Sequence, residues 1–454
     1  MELMLSSQWF CKIKGKSDEI IAGAKAMRWV PDFAISHLID WATTVEWDWV
    51  ISRQRVFGTP LPFRHCPQCN KDYPADYSEL PFNPAVAQEK KCPDCNEILV
   101  PEKSTCDCWV DSSITPLVIA GWPDDEERFK RLYPVSLRPQ GVEIVRTWAF
   151  YTIYRSLALT GKPPFKELLL NGNVLAPDGK KMSKSLGNII APDQLIEKYY
   201  TDSVRQWAAL SGAMAKDRPF SYQDLTYSKS FLNKLWNASK FIGTAITGYV
   251  PDESHKAGLE LPDKWILSRL QSLTTQVTED FENYEFHHAT KAIHQFFWNE
   301  LCDYYLEYVK YRIYRDDVPK ESALAARYTL HMALLASIKL LAPVMPHATE
   351  EIYSIFAESV GDGSRRSIHH AAWPVADAKM SDAAAEKKLV LINEVVSQVR
   401  QFKSANKLAL NAELASLAIT APEDISEGKA ALAACTGAKA VSFAQGDLSV
   451  KIKN

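Results

Sequence analysis

Between Asp178 and Asn188 the chain reads DGKKMSKSLGN, with three lysines and two serines inside six residues and Gly179 and Gly187 on either side. Lysines on a mobile, glycine-flanked loop can close over a triphosphate and stabilise the charge that builds on departing pyrophosphate, the electrostatic part of adenylate formation. A solvated basic loop has the same composition and is the alternative reading. The second group is metallic. Cys66 and Cys69, then Cys92 and Cys95, form two CxxC pairs with 22 residues between them, close to the spacing of a zinc ribbon. Four thiolates in a tetrahedron with no open position would make a structural Zn2+ site. A redox CxxC is the alternative, although the turns CPQC and CPDC have no thioredoxin-like setting.

A chain of 454 residues is long enough for three or four units to position these groups. With 46% hydrophobic and 24% charged residues it has the composition of a globular protein, and no run of 18 uninterrupted apolar residues offers a membrane span. The N-terminal stretch MELMLSSQWFCKIKGKSDE lacks the basic, apolar and small-residue order of a secretory signal, so a cytoplasmic protein without a membrane partner is expected. Nine cysteines, an odd number, then favour metal ligation over disulfides. The formal net charge of −3 neither announces nor excludes nucleic-acid binding, because a large enzyme can confine its basic surface to one groove.

Five tryptophans, Trp9, Trp29, Trp41, Trp47 and Trp49, crowd the first fifty positions and read as part of a core. Residues 63–103 hold the CxxC pairs around a Pro-rich polar stretch without periodicity, a small inserted knuckle. From about 134 to 225 the pattern is α/β: a helix from Val142 to Leu159 leads into the apolar run Leu168, Leu169, Leu170 and a loop at Asn171 and Gly172, the grammar of a doubly wound parallel sheet. After about 226 helices dominate, with amphipathic stretches at Phe231–Trp236, Trp265–Leu273, Phe296–Tyr314 and Leu330–Phe356, the last broken at Pro343 and Pro346. Beyond Trp373 and Pro374, Ile392 to Phe402 holds helical spacing, and Val441–Phe443 and Leu448–Ile452 alternate like two strands about Gln445, Gly446 and Asp447.

Lys181, Met182, Ser183, Lys184 and Ser185 spell KMSKS, and with QWF (Gln8 to Phe10), WDWVISRQRVFGTPLP (Trp47 to Pro62), CDCWVDSSITPL (Cys106 to Leu117), RPQGVEIVRTWAFY (Arg138 to Tyr151), FLNKLWNASKF (Phe231 to Phe241), DKWILSRL (Asp263 to Leu270), LAPVMPHATEEIY (Leu341 to Tyr353) and HHAAWP (His369 to Pro374) the chain resembles the class I aminoacyl-tRNA synthetases. Within them WVDSSITPL and RPQGVEIVRTWAFY resemble the valine enzymes of the archaeal type; the isoleucine enzymes, which usually read WFDSG and GWF, are the runner-up. The resemblance implies the second half of a Rossmann-like α/β catalytic domain (1–62 and 104–225) with a zinc-ribbon insertion (63–103), a helical-bundle anticodon-binding domain (226–375) and a small α+β appendage (376–454). It implies valine, ATP with Mg2+ and tRNA-Val as substrates.

By the same resemblance Lys184 holds the ATP phosphates with Lys181 assisting, and Ser183 belongs to the same ATP-binding loop. Gly141 and Glu143 match the element in which a glycine admits the nucleotide and a carboxylate accepts hydrogen bonds from ribose hydroxyls. Asn173 and Val174 match positions that contact adenine through backbone groups. Trp109, Ile144 and Trp148 match the aliphatic side-chain pocket, with Ile144 and Trp148 one helical turn apart, and ordinary core packing is the alternative for all three. Cys106 and Cys108 read as small buried residues. Arg53, Gln54 and Arg55 are candidates for nucleotide or acceptor-end contact or for a solvated charge pair; Lys234, Lys240, Lys310 and Arg312 lie scattered along the helices. The other class I signature, His-x-Gly-His, does not occur in these 454 residues, so an N-terminal synthetase half carrying it, with an editing domain, is expected, either as a partner chain of a split enzyme or as the rest of a longer protein of which this chain is a fragment. Editing is needed because the valine site is the standing example of a pocket that rejects threonine only about a hundredfold. A catalytically incompetent tRNA-binding paralogue is the reading from another class, and the intact KMSKS, Gly141 and Glu143 speak against it.

Overall fold

The computed structural model describes residues 7–355 and 367–453. Met1 to Ser6, part of the N-terminal stretch read above for a signal, and Phe356, the end assigned to the fourth helical stretch, lie outside them. By contacts the chain divides into two compact units, Met1–Val174 with Met214–Arg218, and Leu175–Ala213 with Pro219–Asn454.

The first unit is built on three parallel strands, β1 (Arg28–Val30), β5 (Val135–Gly141) and β6 (Phe165–Asn171), with β6 between the other two. Leu168, Leu169 and Leu170 are all buried, as a strand covered on both faces requires. Helices α1 (Ser17–Lys25) and α2 (Ile35–Thr44) flank β1 in the chain. The crossover from β5 to β6 opens as a 3-10 turn (Val142–Ile144), passes through a π turn (Val145–Ala149) and settles into α3 (Phe150–Thr160). It stops at Gly161, whose φ of 68° is the left-handed end that glycine allows. Ile144 and Trp148 therefore do not share a regular α-helical face, since a wider π turn separates them.

Residues 63–103 carry more order than their sequence suggested. Strand β2 (Phe63–His65) pairs antiparallel with β3 (Asp72–Pro74) and β4 (Val100–Pro101). The polar stretch between the CxxC pairs is tied down by Arg64, a buried guanidinium that grips Glu79 at 2.6 and 3.1 Å. Hydrogen bonds from Arg64 and Lys90 hold the Glu79 carboxyl well below the usual carboxylate range, at about 2. Of the first tryptophans, Trp29 and Trp49 are buried, whereas Trp47 is 64% exposed. Cys106 is half-buried and Cys108 exposed, which corrects the expectation that both are buried.

The second unit begins with the KMSKS loop, α4 (Pro192–Tyr199) and α5 (Thr201–Ala209). It continues through the long helices α6 (Tyr222–Ala245) and α7 (Leu261–Glu282), α8 (Phe286–His294), a π segment (Gln295–Tyr305), α9 (Leu306–Tyr314), α10 (Lys320–Leu341) and α11 (Pro346–Ile355). Among the described residues one helix, Lys320–Leu341, has the length and apolar composition to cross a membrane, and 67% of its most apolar stretch is buried in the bundle. Arg312 is no candidate for RNA contact. It is buried against Asp263 at 2.6 Å and the Ser322 hydroxyl at 2.8 Å, with the Tyr305 hydroxyl donating to the same Asp263. Such a pair persists because each charge is hydrogen-bonded.

Helix α12 (Ala383–Ala405), capped where Asp382 accepts from the Ala385 N–H, joins the bundle to β7 (Leu414–Ala421), α13 (Lys429–Thr436), β8 (Ala438–Gln445) and β9 (Ser449–Lys453). The two strands seen in the sequence are not neighbours. β7 lies between them, parallel to β8 and antiparallel to β9, and its small residues (LASLAITA) hid it. Bundle and appendage share one hydrophobic core, from Phe231 to Val441.

Candidate functional site

In the second unit the lysine loop is a closed structure with free cations. The Ala176 N–H bonds to the Lys180 carbonyl at 2.8 Å, and Leu175 bridges to Lys181. Gly179 and Gly187 take φ of 80° and 62°, turns that a β-carbon would strain. Asn188 closes the loop: its Oδ1 accepts from the Ser183 N–H at 2.9 Å and its Nδ2 donates to the Lys181 carbonyl at 3.3 Å. The Ser183 hydroxyl accepts from the Leu186 N–H and lies 3.1 Å from that of Ser185. Met182 is anchored on a small core of Leu195, Tyr199, Trp207, Phe220 and Leu225. Lys180 is paired with Asp178 at 3.3 Å. Lys181 and Lys184 are exposed, and among the described residues neither has a carboxylate partner. A backbone frame presenting unpaired ammonium groups is what polyanion binding asks for. Asn188 was missed as a functional residue; its signal is that it ends the same motif.

In the first unit the other nucleotide candidates lie at the carboxyl ends of neighbouring parallel strands, where ligands of open α/β sheets bind. Register places Asn171 opposite Gly141 and Leu170 opposite Gln140. A β-carbon on Gly141 would stand 3.3 Å from Glu143 Oε2, so the glycine leaves room for the exposed carboxylate to fold back along the strand end. Gly172 is packed so closely that a β-carbon would lie 2.0 Å from the Lys216 carbonyl oxygen. The N–H of Asn173 donates to Asp217 at 2.7 Å and its carbonyl accepts from the Arg218 N–H at 2.9 Å. Its backbone is thus already engaged, and Val174 beside it is 45% exposed. Gln140 was also missed. It is 5% exposed, and among the described residues both of its side-chain polar atoms lack a hydrogen-bond partner, a cost normally met by a ligand or water at such a strand end.

Trp109, Ile144 and Trp148 pack on one core, but in different ways. Trp148 is buried: its Nε1–H donates to the Ser112 carbonyl at 3.1 Å, Phe165 stacks on it at 5.8 Å, and the Arg138 guanidinium lies 4.1 Å from the ring centre. Trp109, placed by the Asp107 cap, opens instead onto a cleft of about 260 Å3 lined by Trp41, Trp47, Trp49, Asp107 and Tyr151. Arg53 lines that cleft too and is ion-paired with Asp107, while it donates to the carbonyls of Val50 and Ser52 at 2.8 Å. Gln54 bonds with Gln8, and Arg55 is exposed.

The four cysteines converge. Sγ of Cys66 and Cys95 are 3.4 Å apart and those of Cys69 and Cys92 3.6 Å, against about 3.8 Å between thiolates on a tetrahedral Zn2+. The two halves are built alike. Asn70 and Asn96, each following its second cysteine, take φ of 55° and 66° and donate to the carbonyls of Cys66 and Cys92 at 3.0 Å. The Tyr73 hydroxyl lies 3.3 Å from Cys92 Sγ as an outer partner. The donor set and its spacing fit zinc.

A cleft of about 850 Å3 opens between bundle and appendage, lined in part by Lys234, Asp303, Lys310, Arg400 and Asn411. Its cations are matched: Lys234 to Asp303 at 3.2 Å, Lys310 to Glu307 at 2.5 Å, and Arg400 to the Asp303 carbonyl at 2.6 Å. Lys240 is exposed.

Residues 2–221 match the family model for class I tRNA synthetases (I, L, M and V), and residues 263–419 that for the anticodon-binding domain of tRNA ligase. The valine–tRNA ligase of Pyrococcus abyssi is 43% identical over 439 residues, 94% of this chain and 48% of the relative, and that of Methanothermobacter thermautotrophicus 41% identical over 428 residues, 94% and 47%. A LeuRS–tRNA–LeuAMS complex from Agrobacterium radiobacter K84 superposes with a TM-score of 0.60 at 20% identity, covering 90% of this chain and 52% of that one. The methionyl-tRNA synthetase of Mycobacterium tuberculosis bound to methionyl-adenylate does so at 0.60 and 19%, covering 81% and 69%; both likenesses are of fold. The chain spans about half the length of the curated relatives it matches, and it belongs to the class I tRNA synthetases of the I, L, M and V group as a homologue of archaeal valine–tRNA ligases.

Proposed function

We propose that this chain provides the phosphate loop, the ribose-binding strand end and the anticodon-binding bundle of a valine–tRNA ligase, which joins valine to tRNA-Val at the expense of ATP. The observation that carries the reading is the likeness to valine–tRNA ligases along 94% of the chain, and the unpaired lysines of an intact KMSKS loop support it. In the first step a valine carboxylate oxygen attacks the α-phosphorus of ATP; that bond forms, the bond to pyrophosphate breaks, and valyl-adenylate results. A terminal hydroxyl of tRNA-Val then attacks the carbonyl and AMP leaves. Lys184 and Lys181, with Ser183, stabilise the charge gathering on the pyrophosphate. Glu143 accepts the ribose hydroxyls, Gly141 admits the nucleotide, and Val174 and Asn173 border the adenine. Trp109, with Ile144 and Trp148 behind it, shapes the aliphatic pocket. ATP enters as its Mg2+ complex.

Cys66, Cys69, Cys92 and Cys95 hold a Zn2+ that supplies folding energy to residues 63–103. Residues 1–62 and 104–225 form the catalytic part, 226–375 the anticodon-binding bundle and 376–454 the appendage. The mixed-charge cleft beside Asp303 and Asn411 suits base edges better than bare phosphates. Stabilising donors on the opposite side of the triphosphate, which class I enzymes draw from His-x-Gly-His, come from the N-terminal half of such an enzyme, as a partner chain or as the preceding part of a longer one, which also brings editing.

The test is pyrophosphate exchange by this chain together with such a half. Valine should support exchange over isoleucine by a factor of about ten or more, the size of one methylene's discrimination. Exchange that prefers isoleucine would move the assignment to that enzyme.

A further inference from the structure

The turn between α7 and α8 gathers carboxylate and imidazole groups that neither the phosphate loop nor the cysteine cluster uses. Tyr284 has φ 61°, and this left-handed residue brings the Glu285 N–H back to the Asp280 carbonyl at 2.8 Å. Glu285 then leads into α8, whose first turn carries His287 and His288. Glu285 Oε2 lies 3.5 Å from His287 Nδ1 and 3.8 Å from His288 Nδ1, and the two rings are 3.9 Å apart. These separations are long for hydrogen bonds. They are near the ligand spacing of about 3.4 Å around a tetrahedral ion bound at about 2.1 Å, and one ligand atom from each of the three residues lies within 4.8 Å of the others.

An independent feature points the same way. Among the described residues Asp280 Oδ2 is buried without a hydrogen-bond partner, so a carboxylate oxygen at this turn is short of a positive partner. The positive end of α8 and Lys291 oppose a cation here. Two carboxylates outweigh them.

We propose that Glu285, His287 and His288, with Asp280 as an outer carboxylate, bind one divalent transition-metal ion of the Zn2+, Ni2+, Co2+ or Cu2+ class at the α7–α8 turn. Imidazole with carboxylate selects such ions over Mg2+ and Ca2+. The ion would staple the end of α7 to the start of α8 and stabilise the folded chain by mass action.

The full chain, its cysteine cluster filled with Zn2+, is titrated with Ni2+ by calorimetry while its melting temperature is followed. One further equivalent of Ni2+ should bind and raise the melting temperature. The double variant His287→Ala with His288→Ala should lose both effects, Asp280→Asn should weaken binding about tenfold, and Cys92→Ser should keep the equivalent. His287→Gln with His288→Gln gives the same readout where alanine loosens the helix. No bound equivalent in the natural chain, equal binding by the double variants, or loss only on Cys92→Ser would each overturn the site.

Discussion

Lys184 and Asn188 divide the work of one loop between charge and frame. Lys184 is exposed and, among the described residues, has no anionic partner, so Lys184→Ala should leave the fold intact. In the enzyme completed by its other half it should lower valine-dependent pyrophosphate exchange about a hundredfold or more, the loss typical of one charge-stabilising donor. Binding of tRNA should hardly change, and a gel-shift assay beside the exchange assay checks both. Asn188→Ala removes the bonds to the Ser183 N–H and the Lys181 carbonyl, and should raise the KM for ATP by misplacing lysines that are still present. Gln140 and Arg312 show the other side of the residue scale. The burial of neither is legible in the sequence, because it is set by neighbours far along the chain: Arg312 meets Asp263 across 49 residues.

At the scale of elements, the cysteine knuckle and the buried joint of α8 should respond to different insults. Cys92→Ser leaves three thiolates and should bring zinc, measured by elemental analysis, from one equivalent per chain to near none. Residues 63–103 should become protease-sensitive while helices α6 to α12 melt as before, because a structural metal contributes its folding energy locally. His294 belongs to the helical joint. It stacks on Phe231 at 3.5 Å, contacts Gln206, and burial holds its imidazole down to about 3. The unfolded chain, with an ordinary imidazole near 6.5, then takes up the proton first. This group costs no stability above pH 6.5 and progressively more as pH falls from about 6.5 towards 3. Chemical denaturation at pH 7.5 and at pH 5 should show a loss that shrinks in His294→Phe; an unchanged pH dependence in that variant would refute the argument.

For the molecule as a whole, the chain alone should bind tRNA, most tightly the valine acceptor, with affinity falling as salt rises, yet form no detectable valyl-adenylate. Filter binding over a salt series and single-turnover assays test the two halves of that statement, and robust charging by the chain alone would overturn it. The sequence by itself determined what depends on neighbours in the chain: the lysine loop with its glycines, the paired CxxC turns, the crossover from β5 to β6, and the amphipathic helices after residue 226. Their chemistry is local, so turn residues and periodicity report it. Only the tertiary structure decided what depends on distant partners. It placed β7 between β8 and β9, where Ala-rich alternation carried little signal. It folded the polar stretch of the knuckle around the buried Arg64–Glu79 pair, and it fixed Lys403 of α12 by bonds of 2.7 to 2.8 Å to the carbonyls of Leu410, Ala412 and Thr436. It also buried Trp148 but turned Trp109 towards a cleft, although both read alike as aromatic residues in an apolar setting. Strand order and the pairing of buried polar groups are contacts between remote segments, and the free energy that selects them is summed over the packed core rather than written in any one window of the chain.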